Sequence, residues 1–327
     1  MSKPSVFVTR RIPEKGLEMI RDVCEVDLWP GELPPGRDEL LRHVKGMDGL
    51  LSLLTDKVDG ELMDAAGEQL KVISNLAVGF DNIDVPAATA RGIPVGNTPD
   101  VLTDATADFA FTLLLAAGRR LLEGDRYIKA GTWKTWDPLA LLGVEVKGAT
   151  LGLVGFGRIG KAMARRAAGF DMRVIYYDPS EKIPDSRIDA THVDFDTLLK
   201  ESDFISLHVP LTADTRHLIS AEALSKMKPE AVLINTARGP IVDPDALYEA
   251  LKQRHIFAAA LDVTEPEPLS LEHPLYSLDN VIISPHIASA SRATRDKMAG
   301  MAAQNLIAGL KGERLPNCVN PQVYLQK

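Results

Sequence analysis

Short, almost wholly apolar runs alternate with longer segments whose apolar residues recur at helical spacing, and the alternation holds over nearly the whole chain. Continuous apolar runs of four to eight residues are the mark of strands buried on both faces, and helices between them imply parallel crossovers. In the first hundred residues the pattern predicts strands at 6–9, 25–28, 49–54, 71–74 and 93–95, with helices at 13–23, 37–44 and 60–66. A second series predicts strands at 150–154, 172–178, 204–209, 231–235, 258–263 and 281–284, with a helix at 158–170. Two further helices connect the series. One runs from a cap at Thr103-Asp104 through Arg120; the other, 293–310, carries Met298, Met301, Leu306 and Leu310 as an apolar stripe and returns the chain to the first domain. The expected architecture is α/β: two doubly wound parallel-sheet lobes, 1–99 plus 289–327 and 100–288, with a cleft between them where small molecules commonly bind. Residues 33–36 and 184–186 read as short surface turns.

A chain of 327 residues suits about two domains. Its 37 basic and 45 acidic residues give a net charge of −8 with no basic cluster, which argues against nucleic acid as a partner. The longest apolar candidate, 109–118, has core-helix length, well short of the ~20 residues a membrane span needs. The start of the chain, Met1-Ser-Lys-Pro-Ser, leads directly into a strand and does not resemble a signal peptide. Cys24 and Cys318 build neither a disulfide framework nor a metal-ligand spacing. A cytoplasmic protein without metal, membrane or nucleic-acid partners is expected.

Gly155, Gly157 and Gly160 fall in Thr150-Leu-Gly-Leu-Val-Gly-Phe-Gly-Arg-Ile-Gly160, between a predicted strand and a predicted helix. The next apolar run ends at Asp178, about twenty residues beyond the first glycine. Gly155 permits the tight turn, Gly157 lets a pyrophosphate approach the backbone, and Gly160 lets the helix pack on the strand. The helix N-terminus and Arg158 supply the donors that an anionic ligand needs in a chain of negative net charge. In this order, strand, turn, helix, strand and acid predict a dinucleotide site.

Three chemically competent residues follow other predicted strands. Arg238 comes after Ala231-Val-Leu-Ile-Asn-Thr-Ala, Glu267 lies in Thr264-Glu-Pro-Glu-Pro, and His286 follows Val281-Ile-Ile-Ser-Pro. Ligands in open parallel sheets bind beyond the carboxyl ends of the strands, so all three are candidates for one crevice. Their types suit hydride transfer to a carbonyl. The carbonyl oxygen needs a proton, and histidine titrates nearest operating pH. A carboxylate beside it orients the ring, and an arginine grips a substrate carboxylate with two donors. On pattern alone Glu265 is as good an acid as Glu267. His208 also ends an apolar run, without an acid or arginine at corresponding strand ends, and the remaining histidines read as structural.

At these residues the chain resembles the D-isomer-specific 2-hydroxyacid dehydrogenases over essentially its full length. The resemblance is carried by Val78-Gly-Phe-Asp-Asn-Ile-Asp84, Asn97-Thr-Pro99, Val154-Gly-Phe-Gly-Arg-Ile-Gly160, His208-Val-Pro-Leu-Thr212, Asn235-Thr-Ala-Arg-Gly239 and Ser284-Pro-His-Ile287. Within that family it is most similar to the glyoxylate/hydroxypyruvate reductases, through Phe7-Val-Thr-Arg-Arg-Ile-Pro13, Thr98-Pro-Asp-Val-Leu-Thr-Asp104, Leu261-Asp-Val-Thr264 with Pro266-Glu-Pro-Leu269, and Asn305-Leu-Ile-Ala-Gly-Leu-Lys-Gly312. The resemblance implies a flavodoxin-like substrate domain, a Rossmann cofactor domain, and reduction of small 2-oxo acids by NAD(H) or NADP(H). It selects Glu267 over Glu265 as the acid, makes Arg238 the substrate-binding arginine and makes His286 the acid/base. It further implies substrate contacts at Val78, Gly79 and Leu53, and cofactor contacts at Thr106, Gly155, Gly157, Arg158, Ile159, Gly160, Asp178, Pro210, Thr215, Thr236, Ala237, Asp262 and Ala288. Asp262 is expected beside the nicotinamide carboxamide. Trp136 matches a tryptophan that reaches the partner subunit's site, which implies a homodimer.

Two positions depart from the family pattern. Ala288 stands where His-Ile-Gly is usual, and Asp178 stands where NADPH-favouring reductases often carry a small polar or basic residue. A carboxylate there receives ribose hydroxyls and repels a 2′-phosphate, which predicts NADH preference. Among related activities, Glu267 stands where formate dehydrogenases have glutamine and Val78 where phosphite dehydrogenases have lysine. The alternatives left are a broader D-2-hydroxyacid dehydrogenase of D-lactate or D-3-phosphoglycerate type, and an NADH-sensing corepressor-like binding protein.

Overall fold

Residues 3–181 and 188–325 are described by the computed structural model, so the turn expected at 184–186 lies outside the described residues. The chain divides into two compact units, 1–102 with 290–327, and 103–289.

The first unit is built on β1 (Ser5–Val8), β2 (Glu25–Leu28), β3 (Gly49–Ser52), β4 (Val72–Asn75) and β5 (Val95–Gly96). All pair in parallel in the order β2-β1-β3-β4-β5, the flavodoxin-like arrangement. Every residue of β3 and β4 is buried, which is why these runs lack the alternation of a half-exposed strand. Helices α1 (Glu14–Val23), α2 (Arg37–Val44), α3 (Gly60–Ala66) and α4 (Val85–Ala90) connect the strands. The first three bury residues at helical spacing: Gly16, Leu17 and Ile20 in α1, Leu40 and Val44 in α2, Leu62, Met63 and Ala66 in α3. The strand expected at 49–54 stops at Ser52, because the chain turns at Leu53, where Asp56 N–H donates to the Leu53 carbonyl (3.1 Å).

The second unit opens with α5 (Thr103–Gly118) and α6 (Leu121–Lys129), separated by Arg120 in the left-handed region. Thr103 is thus the first helical residue rather than a cap outside the helix, and α5 ends before Arg120. Seven parallel strands follow: β6 (Thr150–Val154), β7 (Arg173–Tyr177), β8 (Thr191–His192), β9 (Phe204–Leu207), β10 (Val232–Asn235), β11 (Ala258–Leu261) and β12 (Val281–Ile283). Between them lie α7 (Arg158–Ala167), α8 (Phe195–Glu201), α9 (Ala221–Ser225) and α10 (Pro244–Lys252). The spatial order is β12-β11-β10-β9-β6-β7-β8. Chain direction across the sheet therefore reverses between β6 and β9, and doubly wound sheets hold ligands at such a reversal, beyond the strand carboxyl ends.

Alternate strand residues feed two apolar layers. Leu151, Leu153, Val232 and Ile234 pack with Phe111 and Leu114 of α5 and Met163 of α7. Val154, Ile205, Leu207 and Leu233 pack with Leu198 of α8, Leu224 of α9 and Leu247 of α10. Both faces being apolar, the strands read as unbroken hydrophobic runs. Helices α8, α9 and α10 begin at Asp194, Ser220 and Asp243, whose side chains accept N–H groups of the first turn.

The chain then returns to the first unit through α11 (Arg292–Leu310), capped by Ser291. The expected stripe of Met298, Met301, Leu306 and Leu310 understates its burial. Met301 and Leu310 are only half-buried, whereas Ala299, Gly300, Ala302, Ala303, Asn305, Ala308 and Gly309 are buried around the helix. Small residues let α11 lie close against α1, β3 and β4, and Ser74 Oγ donates to the Ala302 carbonyl (2.8 Å). No helix among the described residues is long and apolar enough to cross a membrane.

Candidate active site

The glycine turn closes β6. Gly155 has φ +95°, and its N–H donates to the Tyr177 carbonyl at 2.8 Å. A Cβ on Gly155 would meet the His208 carbonyl at 2.8 Å, and one on Gly160 would meet the Gly155 carbonyl at 2.3 Å, so strand, turn and helix close on one another only with glycine at both. A Cβ on Gly157, the residue before α7, would meet nothing within 4 Å. The space that a phosphate requires at a helix N-terminus is present. Phe156 N–H donates to Asp178 Oδ2 (3.1 Å), which fixes the carboxylate at the end of β7 against the turn. Thr236 Oγ1, just beyond β10, is buried with no protein hydrogen-bond partner, a group that a bound dinucleotide can satisfy. These features fit an NAD-type cofactor.

The other expected cofactor contacts lie in the same unit. Arg158 is exposed and Ile159 half-buried at the start of α7, Thr106 is buried in the first turn of α5, and Ala288 is buried. Pro210 and Thr215 share a loop after β9 that folds on itself, Thr215 Oγ1 donating to the Pro210 carbonyl (2.7 Å). Ala237 N–H donates to Asn235 Oδ1 (3.0 Å). Asn235 Nδ2 in turn donates to the Arg238 carbonyl (2.8 Å), so one buried asparagine shapes the turn that presents Arg238.

His286 follows β12 with φ +53°, a left-handed conformation that histidine tolerates better than most residues. Its N–H donates to the Asp262 carbonyl at 2.9 Å. The Asp262 side chain secures the rest of this loop. Oδ1 accepts from Ser284 Oγ (2.7 Å) and Ile287 N–H (2.8 Å), and Oδ2 accepts from Ala288 N–H (2.7 Å). Hydrogen bonds to a charged group contribute about 1.5–3 kcal/mol each, so three together offset the several kcal/mol that burying a carboxylate costs. Expected only as a carboxamide contact, Asp262 is also the anchor of the His286 loop; a buried acid ending an apolar run was the available signal.

His286 Nδ1 lies 2.6 Å from Glu267 Oε1. That contact leaves Nε2 as the ring nitrogen able to face a substrate oxygen. Thr264 N–H reaches Glu267 Oε2 at 3.4 Å. Glu265 points elsewhere, to Arg216 and His217. The loop of Arg238 packs directly on the loop of Glu267, since a Cβ on Gly239 would lie 1.9 Å from the Thr264 carbonyl. Arg238 is half-buried and donates from Nη1 to the Ala237 carbonyl (2.8 Å). His208, the rival histidine, has Ser206 Oγ at 2.9 Å from Nε2, and burial pushes its imidazole down to about 4, which keeps the ring neutral.

In the first unit, Leu53 N–H donates to Asp56 Oδ2 (2.7 Å). The carbonyls of Val78 and Gly79 accept from Asn97 Nδ2 (2.8 Å) and Asn75 Nδ2 (3.0 Å), so side chains hold this loop by its oxygens. Trp136 lies in the second unit, 78% exposed, on a segment that also exposes Trp133, Leu139 and Leu142. Among the described residues no cluster of three or more His, Cys, Asp or Glu is placed to hold a metal ion.

Comparison with known proteins bears on the fold and the family. The model of the D-isomer specific 2-hydroxyacid dehydrogenase NAD-binding domain matches residues 111–288. A glyoxylate reductase of Korarchaeum cryptofilum is 53% identical over 98% of this chain and 97% of its own. The crystal structure of the TT0316 protein from Thermus thermophilus superposes with a TM-score of 0.91 at 49% identity, covering 96% of this chain and 99% of that one. An NADPH-dependent glyoxylate/hydroxypyruvate reductase from Sinorhizobium meliloti, solved with NADP and malonate, superposes with a TM-score of 0.83 at 34% identity, covering 97% of each chain. The two parallel sheets, the glycine turn and these full-length similarities together make the chain a member of the D-isomer-specific 2-hydroxyacid dehydrogenases.

Proposed function

We propose that this chain reduces glyoxylate to glycolate and hydroxypyruvate to D-glycerate, with NADH as the preferred donor. The observation that carries the reading is the 2.6 Å contact of His286 Nδ1 with Glu267, on a loop pinned by Asp262 beyond the carboxyl ends of β11 and β12. When bound, the reduced nicotinamide supplies a hydride. Glu267 holds the imidazole so that Nε2 delivers a proton to the carbonyl oxygen, while Arg238 takes the substrate carboxylate with its two-donor fork. In the first unit, Val78, Gly79 and Leu53 are the residues assigned to substrate contact.

The NADH preference rests on Asp178. Its carboxylate is held beside the turn by Phe156 N–H, where it can accept from ribose hydroxyls and oppose a 2′-phosphate. Steady-state kinetics with glyoxylate, hydroxypyruvate, pyruvate and 3-phosphohydroxypyruvate test both parts. The first two substrates should be favoured, and kcat/KM should be at least about tenfold higher with NADH, equivalent to about 1.4 kcal/mol. Pyruvate reduced as well as glyoxylate would assign the broader dehydrogenase instead. NADPH favoured tenfold rejects the role of Asp178.

The same reading includes a homodimer, supported by the exposed run of Trp133, Trp136, Leu139 and Leu142. Light scattering should give twice the 35.6 kDa chain mass, and Trp136→Ser with Leu139→Ser should shift the protein toward monomer. A wild-type monomer at micromolar concentration overturns the assignment.

A further inference from the structure

Glu265, two residues before Glu267, sits where three loops meet. Its Oε1 accepts from Arg216 Nη2, and its Oε2 lies 2.8 Å from His217 Nε2. Both partners belong to the segment after β9, the one that also carries Pro210 and Thr215. That segment is joined by backbone to the loop after β10. His217 N–H donates to the Pro240 carbonyl (2.8 Å), Ile219 N–H to the Ile241 carbonyl (3.0 Å), and Asp243 N–H to the Ile219 carbonyl (3.1 Å). Pro240 is two residues from Arg238, whose neighbour Gly239 rests on the Thr264 carbonyl. Glu265 therefore closes a ring of contacts that runs from the β9 loop through the Arg238 loop to the Glu267 loop. His217 reaches both neighbours from a left-handed backbone (φ +50°).

We propose that Glu265 is a positioning residue for proton delivery: by gripping Arg216 and His217 it fixes the loop of Glu267, and thereby sets the Glu267 carboxylate against His286. Partial burial raises the Glu265 carboxyl, but hydrogen bonds from His217 and Arg216 outweigh it and hold the group below the usual carboxylate range, so Glu265 meets Arg216 as an ion pair near neutral pH. A surface ion pair by itself contributes little, about 0–1 kcal/mol. The consequence of this one is geometric, because a catalytic group displaced by ~1 Å loses rate by about a hundredfold.

The proposal rests on the reading of Glu267 and His286 as the proton-delivering pair, and a double-mutant cycle separates the two. Glu265→Ala should lower kcat with glyoxylate about tenfold, Glu265→Gln less, and the Kd for NADH from tryptophan fluorescence should stay within about twofold. In the Glu267→Gln background, adding Glu265→Ala should change kcat less than about twofold, since the carboxylate it positions is already gone. His217→Ala should reproduce the Glu265→Ala phenotype, His217→Gln should recover part of it, and His217→Ala replaces Glu265→Ala in the cycle should that variant not fold. A tenfold loss that persists in the Glu267→Gln background, or no loss in any clamp variant, overturns the positioning role. Unchanged kcat in Glu267→Gln alone overturns the underlying reading whatever the clamp variants do.

Discussion

Replacing His286 should slow turnover by at least about a hundredfold while leaving the cofactor bound. General acid catalysis by a positioned side chain contributes about 10²- to 10⁴-fold, so kcat in His286→Ala and His286→Asn is expected to fall by that factor with glyoxylate. The asparagine variant guards against a backbone artefact. Residue 286 has φ +53°, and asparagine is one of the few residues that enters the left-handed region readily. Loop geometry also depends little on the imidazole. Asp262 holds it through Ser284 Oγ and the N–H groups of Ile287 and Ala288, and accepts the N–H of residue 286 on its carbonyl. NADH binding, measured by quenching of tryptophan fluorescence, should therefore stay within about threefold of wild type. Both variants turning over within tenfold of wild type would assign the proton to another group. His208 is a poor substitute, because burial holds its ring neutral.

Much of this was legible in the sequence, for a physical reason. A parallel sheet covered on both faces must bury every strand residue, so β6, β9, β10 and β11 read as apolar runs whose ends are sharp. Ligands gather beyond the carboxyl ends of parallel strands, which made Asp178 after β7, Arg238 after β10 and His286 after β12 candidates. The glycine turn was legible because its constraint is local: Gly155 needs a positive φ, and Gly160 needs the absence of a Cβ.

What was not legible depends on contacts between loops. Glu265 and Glu267 are equivalent in pattern, and only the fold sends one to His217 and the other to His286. The family resemblance made the choice that periodicity did not. Likewise, Asp262 looks like any acid at a strand end until the donors of residues 284–288 are seen around it. Helices α4, α6, α8, α9 and α10 also went unread; α9, at five residues, offers little beyond its cap Ser220, whereas α10 buries Leu247, Ala250 and Leu251 behind its cap Asp243.

Arg238→Ala should be nearly as damaging as loss of His286, but through the substrate. Truncating one partner of a hydrogen-bonded charge pair costs about 2–5 kcal/mol, so kcat/KM for glyoxylate should fall by about 30- to 4,000-fold, with a large rise in KM. Arg238→Lys keeps the charge yet loses the planar two-donor fork, and should recover only a small part. Folding should be little affected, since the turn is shaped by Asn235, which donates to the backbone carbonyl of residue 238, and by Gly239 against Thr264, neither of which needs the guanidinium. The split between substrates and cofactor decides the matter. If Arg238 holds the 2-oxo acid carboxylate, KM for NADH moves less than about threefold while kcat/KM for glyoxylate and hydroxypyruvate falls together. If NADH affinity falls in step with glyoxylate, the residue serves the cofactor loop rather than the substrate, and retention of kcat/KM within fivefold in Arg238→Ala removes it from the site altogether.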